Sequence, residues 1–186
     1  MKPLNFFVAV SITLTLLSCK KNEATQLVIP IPNGDFEFWD GQPTLLTWLT
    51  NSCPLCVPPY ETYIVKKVTE VANGQFAAKF TYNGVYSSSA NNKFSISLHP
   101  TVLIGYIKSS ISNDDTATIH VDIFSGNNIV DNGNYIETSS TLTYKKIAIP
   151  ISQTSSAADS ALIKIVGGKK GTTTLYVDNL VLIEDN

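Results

Sequence analysis

The sequence predicts an all-β protein in which two antiparallel sheets pack face to face. In the segment TATIHVDIF, Ala117, Ile119, Val121 and Ile123 alternate with mostly polar residues, which is the period-two pattern of a half-buried strand. Asn-Gly pairs divide the chain into short segments and favour tight turns with positive φ. These pairs lie at 33–34, 73–74, 83–84 and 132–133. No comparable stretch carries apolar residues at helical spacing.

Seven other segments resemble this one in their content of valine, isoleucine, threonine, tyrosine and phenylalanine, and we predict a strand in each. In chain order they span 62–71, 76–82, 93–98, 102–107, 141–149, 161–166 and 173–183. Gly105 lies in the middle of one of them, where a bulge or a close backbone approach is the usual reason for a glycine. Eight to ten short strands at this spacing predict a β-sandwich.

The N-terminus is predicted to be an export signal over residues 1–18. A lysine at position 2 precedes about a dozen mostly apolar residues, from 6 to 17. This run is shorter than the roughly 20 residues that a helix needs to span a bilayer, which makes a retained membrane anchor the weaker alternative.

The end of that signal, Leu16-Leu17-Ser18-Cys19, resembles the lipobox of bacterial lipoproteins. The resemblance implies cleavage before Cys19, lipid modification of that cysteine and a membrane anchor. A soluble secreted protein whose signal ends near a cysteine is the alternative. In some lipoproteins an aspartate after this cysteine is an inner-membrane retention signal. Here Lys20 follows instead, so we expect an outer-membrane or cell-surface location, with a periplasm-facing orientation also open.

After the signal, residues 19–26 are predicted to be a polar tether and residues 27–186 a single folded domain. A chain of 186 residues with 44% hydrophobic and 15% charged residues is long enough for one sizeable core. The sequence contains no arginine, although arginine is the residue best suited to phosphates and base edges. We therefore expect no nucleic-acid partner.

Several motifs together resemble a known family. They are NGDFEFW followed by Trp48, VANGQFAAKF at 71–80, TVLIGYIKSS at 101–110, NDDTATIHVDIF at 113–124, YKKIAIPI at 144–151 and TTTLYVDNLVLIED at 172–185. Their order and approximate spacing resemble the carbohydrate metabolism domain family and, more distantly, the jelly-roll carbohydrate-binding modules with a galactose-binding-like fold. The resemblance covers residues 31–185. It implies a jelly-roll β-sandwich on an exported lipoprotein that engages carbohydrate, with Trp48 in the core.

The sequence departs from the family pattern in two places. The segment NSCPLCVPPY at 51–60 is not part of the family signature, and GYIKSS lacks the second tyrosine and the aromatic that follows it in the family. Both departures concern the ligand site more than the fold.

The resemblance also implies a structural calcium ion between the segment NGDFE and the final strand. Glu37 would supply a carboxylate, and Asp178 a carboxylate and a backbone carbonyl. Calcium takes six to eight oxygen ligands, including carbonyls. The alternative is that both acids are solvated or hydrogen-bonded without a metal, and no other cofactor is expected.

Two nearby acids, Asp35 and Glu37, raise the possibility of a glycosidase pair. Residues two apart on a strand are roughly 6.5–7 Å apart, which overlaps the spacing of inverting enzymes. However, the two carboxylates of a glycosidase flank the scissile bond, whereas neighbours on one strand face point the same way. We expect no enzymatic activity and no catalytic residues.

The pair Cys53 and Cys56 forms a CxxC motif in an exported protein, which favours a loop-stapling disulfide, with free thiols as the alternative. Zinc would need two more ligands, and His99 and His120 lie on separate predicted elements. His120 shares a strand face with Asp122, so the two side chains could hydrogen-bond, bind a metal or touch a sugar. No serine lies in a nucleophile-elbow pattern and His99 has no evident partner, so the sequence shows no set of residues for nucleophilic hydrolysis.

Sugar binding by a sandwich would use aromatic platforms with amides nearby. The candidates are Trp39, Tyr60, Tyr86 and Tyr135, with Asn83, Asn91 and Asn92 as polar neighbours. The sequence thus predicts a non-catalytic, lipid-anchored envelope protein that binds carbohydrate or assists glycan capture, with a protein partner in the envelope also possible. The alternatives are a surface adhesion or structural protein that binds another protein, and a small glycoside hydrolase.

Overall fold

Thirteen strands make up the regular structure of the residues that the computed structural model describes, which are 26–40, 44–52, 64–82, 84, 86–112, 114–152 and 157–185. The strands are β1 (Gln26–Pro30), β2 (Trp39–Asp40), β3 (Thr44–Leu45), β4 (Leu49–Thr50), β5 (Val65–Val68), β6 (Ala77–Thr81), β7 (Ser89–Ser95), β8 (Val102–Ser110), β9 (Ala117–Ser125), β10 (Asn128–Glu137), β11 (Lys145–Pro150), β12 (Ser160–Val166) and β13 (Thr174–Asp185). Within these ranges, no helix is long and apolar enough to cross a membrane.

Two antiparallel sheets contain almost all of these strands. The first has the order β11-β8-β13-β6-β5, with β1 added beside β13. The second has the order β10-β9-β12-β7-β4, and β2 pairs with β3 as a separate ribbon. The many crossovers between sequence neighbours are those of a jelly-roll β-sandwich, which confirms the all-β fold predicted from the sequence.

The core lies between the sheets and is built from the inward positions of each strand. In β9 the inward residues Ile119, Val121 and Ile123 are fully buried, as the alternation predicts. The facing sheet contributes Leu103 and Ile107 from β8, which are also fully buried. Burial of each such side chain stabilises the fold by about 1.5–3 kcal/mol.

The last strand, β13, holds the first sheet together. On one side it pairs with β8 along most of its length, and on the other it pairs first with β6 and then with β1. Between these two partners, the register with β8 shifts at Asp178–Val181, where an extra residue bulges out. Gly105 of β8 lies opposite this bulge, and a Cβ atom there would collide with the side chain of Leu180. The glycine therefore accommodates a bulge, as predicted.

Two sequence-based expectations about strands and turns were wrong. The segment containing Asn132-Gly133 is the middle of β10 and not a tight turn, and the other strand boundaries differ by a few residues, most at β7. Strand β10 was missed because its inward residues are Asp131, Gly133, Tyr135 and Glu137, paired with the apolar inward residues of β9. An alternation of apolar and polar residues is therefore absent, although the alternation of buried and exposed positions is present.

Replacement of Gly133 by alanine is expected to destabilise the protein by about 1–3 kcal/mol, because the new Cβ atom would lie 2.5 Å from the backbone oxygen of Pro150. Chemical unfolding measures the loss. The control is Asn134→Ala, an exposed neighbour on the same strand, which should change the free energy of unfolding by no more than about 0.5 kcal/mol. Equal effects of the two substitutions would show that Gly133 is not tightly packed.

Candidate functional site

The first candidate site is an acidic cradle formed by Asp35, Glu37 and Asp178. Asp35 and Glu37 belong to the turn that follows β1, and Asp178 lies at the bulge of β13. The two segments are joined by a hydrogen bond from the backbone N–H of Leu180 to the carbonyl of Gly34, 2.7 Å long. Gly34 permits this approach, since a Cβ atom there would lie 2.5 Å from the Leu180 carbonyl oxygen.

Glu37 is held by the loop between β5 and β6. Its Oε1 accepts hydrogen bonds from the backbone N–H groups of Gln75 at 2.7 Å and Phe76 at 3.2 Å. Gly74, with φ of 76°, lies directly against this carboxylate and leaves no room for a side chain of its own. The loop thus wraps around one oxygen of Glu37.

Asp178 is fully buried, and the same loop satisfies half of its carboxylate. Oδ2 accepts N–H hydrogen bonds from Ala72 at 2.7 Å and Asn73 at 2.9 Å, whereas Oδ1 has no hydrogen-bond partner among the described residues. Burial raises the pKa of Asp178, the nearby negative charge of Glu37 adds to this effect, and the backbone N–H groups oppose it. Burying a carboxylate oxygen without a hydrogen-bond donor costs free energy, unless a positively charged group lies next to that oxygen.

The cradle forms a cleft of about 230 Å³. It is lined by Asp35, Glu37, Asn73, Gly74, Gln75, Asp178 and Asn179. Three non-glycine residues around it have positive φ angles: Asn33 at 49°, Phe36 at 57° and Asn179 at 50°. Such conformations cost free energy and cluster at functional sites. The backbone is therefore bent here to bring these oxygen atoms together.

The donor set of the cradle fits a hard cation such as calcium, because carboxylate and amide oxygens are the ligands that calcium prefers. The orphaned Oδ1 of Asp178 is the atom that a cation would satisfy. Among the described residues, no group of three or more His, Cys, Asp or Glu side chains is arranged to hold a metal on its own. Backbone carbonyls and water would have to complete the ligand set, so the ion stays a prediction.

The expectation that Asp35 and Glu37 share a strand face was wrong. Both residues lie in the turn after β1, with Phe36 between them at positive φ. Asp35 Oδ1 accepts a hydrogen bond of 3.5 Å from the backbone N–H of Glu37. Since Glu37 is engaged by two backbone donors of the loop, the structure gives these carboxylates a role in organising the turn.

A second candidate site covers the outer face of the first sheet, beside the cradle. The pairing of β5, β6, β13 and β8 places Lys66, Lys79, Tyr176 and Lys108 in one row, and the next row pairs Tyr106 with Lys146. Tyr144 precedes β11 and hydrogen-bonds across to the loop before β6. We call this surface the tyrosine–lysine face; its residues are Lys66, Lys79, Tyr106, Lys108, Tyr144, Lys146 and Tyr176.

Two adjacent clefts open on the tyrosine–lysine face. One, of about 440 Å³, is lined by Glu70, Val71, Ala72, Tyr106, Lys108, Leu142, Thr143 and Tyr144. The other, of about 310 Å³, is lined by Lys67, Val68, Thr69, Glu70, Phe76 and Tyr176. Glu70 belongs to both clefts, and its ion pair with Lys108 lies between them. The surface therefore combines aromatic rings, charged groups and concave shape.

Tyr144 connects this face to the cradle. Its hydroxyl donates a 2.7 Å hydrogen bond to the carbonyl of Glu70. Burial raises the pKa of Tyr144 strongly, and the negative charges of Asp178 and Glu70 raise it further. The phenol therefore stays protonated and remains a hydrogen-bond donor across the neutral pH range. Ala72, which donates to Asp178, also lines the larger cleft.

The aromatic residues predicted from the sequence lie elsewhere. Trp39 in β2 is half-buried and donates its indole N–H to the Phe36 carbonyl at 2.6 Å. Tyr86 is 58% exposed in the connection between β6 and β7. Tyr135 packs against the core, and Tyr60 lies outside the described residues. The structure thus places Trp39, Tyr86 and Tyr135 on separate elements, and the contact of all four predicted aromatic residues with a sugar stays a prediction.

The predicted amide neighbours are separated too. Asn91 is on the outer side of β7, whereas Asn92 is buried and donates to the Pro32 carbonyl at 2.8 Å. Asn83, Cys19, Cys53 and Cys56 lie outside the described residues, as do the predicted export signal and most of the tether. Trp48 is 5% exposed and packs against Phe36 with a ring-centroid distance of 5.2 Å, which confirms its place in the core.

Tyr135 belongs to a partly buried polar cluster with the buried Glu137 and with Lys145. Its hydroxyl donates to Glu137 Oε2 at 3.0 Å, and the Lys145 ammonium lies 2.5 Å from the same oxygen. Ser139 donates to Oε1 through its N–H and its hydroxyl. Burial favours a higher pKa for Glu137, but the hydrogen bonds from Lys145, Ser139 and Tyr135 outweigh it and lower that pKa.

The expectation that His99 lacks a partner was wrong. Its Nε2 lies 2.8 Å from Oδ2 of the buried Asp131 on β10, a strand that the sequence did not reveal. The nearby Ser152 hydroxyl contacts Asp131 at 3.4 Å. In a nucleophilic triad the hydroxyl contacts the imidazole. The contact of the Ser152 hydroxyl with Asp131 is therefore not the contact that a triad uses. His120 and Asp122 do hydrogen-bond, at 2.7 Å.

Comparison with solved structures places this architecture among known folds. The carbohydrate-binding module TmCBM61 in complex with β-1,4-galactotriose has a TM-score of 0.59 and 13% identity, covering 84% of this chain and 97% of the module. TmCBM27, a mannan-recognising carbohydrate-binding module, has a TM-score of 0.50 and 13% identity, covering 88% and 100%. A cyclase from Fischerella sp. TAU has a TM-score of 0.54 and 13% identity, covering 86% and 97%.

The chain therefore has the jelly-roll sandwich fold of carbohydrate-binding modules, a fold that enzymes such as the cyclase share. No family model matches the sequence, and no curated protein matches it significantly. The specific resemblance to the carbohydrate metabolism domain thus gains no support from a family model, whereas the coarser assignment to the fold of the binding modules is confirmed.

Substitution of Glu137 by glutamine is expected to lower the free energy of unfolding at pH 7 by about 1–3 kcal/mol, because it leaves Lys145 without its ionised partner. A carboxyl whose pKa is lowered by folding stabilises the fold above its unfolded pKa and loses this contribution as the pH falls through its folded pKa. The difference between wild type and variant should therefore shrink between pH 5 and pH 3.

Urea unfolding at pH 7 and pH 3 measures this difference, with the exposed Asp40→Asn as a control for the loss of one negative charge. A Glu137→Gln penalty that is equal at both pH values would contradict an ionised Glu137 in the folded protein.

Proposed function

We propose that this protein is a non-catalytic, lipid-anchored envelope protein that binds carbohydrate, either directly or as an accessory to glycan capture. The observation that carries the proposal is the pair of tyrosine-lined clefts on the outer face of the first sheet. Aromatic rings offer flat apolar faces to the C–H groups of a pyranose, and neighbouring charged or amide groups hold its hydroxyls.

The fold supports the same function, because two of the similar structures are carbohydrate-binding modules, one seen with a galactotriose and one described as recognising mannan. The geometry supports a location for this binding. Tyr106, Tyr144 and Tyr176 share one surface with Lys108 and Glu70, which gives stacking and hydrogen-bonding groups side by side.

The proposed anchor is Cys19, after cleavage of residues 1–18, with residues 19–26 as a tether and the sandwich presented at the outer membrane or cell surface. Multiple acyl chains on one cysteine give stable membrane attachment. Strand β1 begins at Gln26 and pairs with the end of β13 in the first sheet. A tether before Gln26 would therefore join the sandwich at that sheet.

A calcium ion in the cradle is part of the proposal, with Glu37 and Asp178 as ligands and Asp35 as a neighbour that could contribute. Its chemistry would be structural, since a cation beside Asp178 Oδ1 would offset the cost of burying that charge. The loop that donates to Asp178 also forms a wall of the larger cleft. Calcium would therefore stiffen the sugar site as well as the cradle.

Loss of the aromatic faces tests the carbohydrate proposal. Tyr106→Ala and Tyr176→Ala are each expected to weaken binding to a glycan identified on a glycan array by about fivefold to tenfold, because each removes a stacking surface. Isothermal titration measures the affinity. Phe124→Ala, which removes an aromatic ring from β9 of the second sheet, is the control and should leave the affinity unchanged.

An absence of binding to every glycan on the array, with or without calcium, would move the assignment to a surface protein that binds another protein. Turnover of a chromogenic glycoside that disappears in Glu37→Gln would indicate a hydrolase.

Calcium is expected to raise the melting temperature of the wild type by about 5–10 °C relative to the protein in EDTA, as a ligand present at about a hundred times its dissociation constant does. Asp178→Asn should abolish this response while the protein remains folded, because the amide still accepts a hydrogen bond from the loop. Asp40→Asn, which removes an acid outside the cradle, should respond as the wild type does. Equal melting temperatures with calcium and with EDTA would overturn the proposed calcium site.

A further inference from the structure

We propose that the ligand of the tyrosine–lysine face is an acidic polysaccharide, one whose sugars carry carboxylate or sulfate groups. This inference rests on the proposed carbohydrate binding and names the class of glycan. It comes from the distribution of charge, which is far from even over the molecule.

Positive charge is concentrated on this one surface. The described residues contain ten lysines, and five of them lie on the tyrosine–lysine face or at its rim. They are Lys66, Lys67, Lys79, Lys108 and Lys146. The acids that the described part of the chain brings to this surface are the exposed Glu70 and the buried Asp178. Because the whole protein has a formal net charge of −2, this face is not a consequence of a generally basic composition.

The lysines are spread in a defined pattern across the sheet. Lys66, Lys79 and Lys108 occupy one row on β5, β6 and β8, and Lys146 lies on β11 in the adjacent row. Since neighbouring strands are about 4.8 Å apart, five strands span about 19 Å. That length suits an extended polymer with a charge on successive units better than a small anion.

Within the row, the ring of Tyr176 lies between two lysines. The Lys79 and Lys108 ammonium groups lie 5.3 Å and 5.4 Å from the centre of the Tyr176 ring, one from each neighbouring strand. At the rim, the Lys67 ammonium lies 4.5 Å from the centre of the Phe76 ring. A sugar whose apolar side contacts Tyr176 would thus place a carboxylate or sulfate within reach of an ammonium on either side.

Part of this charge has no acidic partner among the residues that the structure describes. Within the described ranges, neither Lys79 nor Lys146 forms an ion pair with an acidic side chain. Lys108 pairs with Glu70, which is half exposed. An anionic ligand would therefore gain attraction from Lys79 and Lys146 without breaking an existing pair, and it would compete with Glu70 for Lys108.

A charged membrane surface would also attract lysines, but the shape of this face favours a polymer. The two clefts, of about 310 and 440 Å³, are shallow and open, and Tyr106, Tyr144 and Tyr176 line them. Tyrosine rings at the wall of an open cleft offer flat faces on which sugar rings of a long polymer can stack, whereas a phospholipid headgroup has no such ring to stack.

The test is a binding panel with the full mature domain, using polygalacturonate, its methyl-esterified form, alginate, chondroitin sulfate, galactan and mannan. Methyl esterification removes the carboxylate charge and keeps the backbone. We expect at least one acidic polymer to bind at least tenfold more tightly than every neutral one, and 0.5 M NaCl to weaken this binding severalfold, because salt screens exposed charges. Vesicles of phosphatidylglycerol and phosphatidylcholine form a separate arm.

Lys79→Gln and Lys146→Gln should each weaken binding to the acidic polymer by about threefold to tenfold. Lys164→Gln removes the same charge from an exposed position on β12 of the second sheet and should leave the affinity unchanged. Circular dichroism and melting temperature confirm that each variant is folded.

The outcomes separate the two proposals. Neutral polymers that bind as tightly as acidic ones, or lysine variants that bind as the wild type does, would overturn the acidic ligand and leave carbohydrate binding standing. Binding to anionic vesicles without binding to any polysaccharide would replace the glycan with a membrane surface. The absence of binding to every polymer and vesicle would overturn both proposals.

Discussion

The structure depends on the pairing of the last strand, β13, with three other strands. It pairs with β8 on one side, while on the other side β6 and β1 follow each other along its length. At the change of partner no strand occupies the gap, and the chain bulges at Asn179 and Leu180. Two segments close this gap. The turn after β1 accepts a hydrogen bond from the N–H of the bulge, and the loop before β6 donates two to the Asp178 carboxylate. Both ends of the domain are thereby fixed at one place.

The same arrangement positions both candidate sites. Asp178 is buried at the bulge with one unsatisfied oxygen and lines a cleft together with Glu37. Tyr176, two residues earlier, faces outward between two lysines. The loop at Glu70 to Phe76 contributes to each: its N–H groups hold the acids, and its Glu70 divides the two clefts. A change in the cradle is therefore expected to reach the tyrosine–lysine face through a few covalently linked residues.

Local pattern was sufficient for the fold and for part of the site. The alternation in β9 and the frequency of turn residues predicted a sandwich, and the resemblance brought the segment around Glu37 next to Asp178. Strand β10 was not predicted because it carries acids, Asp131 and Glu137, at buried positions. Their partners come from other elements: His99 precedes β8, and Lys145 begins β11. The three tyrosines escaped for a similar reason. Tyr106 and Tyr176 lie on separate strands and Tyr144 precedes a third, and only the pairing register of the sheet puts the three on one surface.

We propose that the outer face of the first sheet receives the ligand. Hydrogen–deuterium exchange of the protein with and without its tightest-binding polysaccharide tests this location. We expect slower exchange in residues 66–79, 102–110 and 174–178, with little change in β9 and β12. Protection confined to β9 and β12, or to the connection that contains Tyr86, would contradict it.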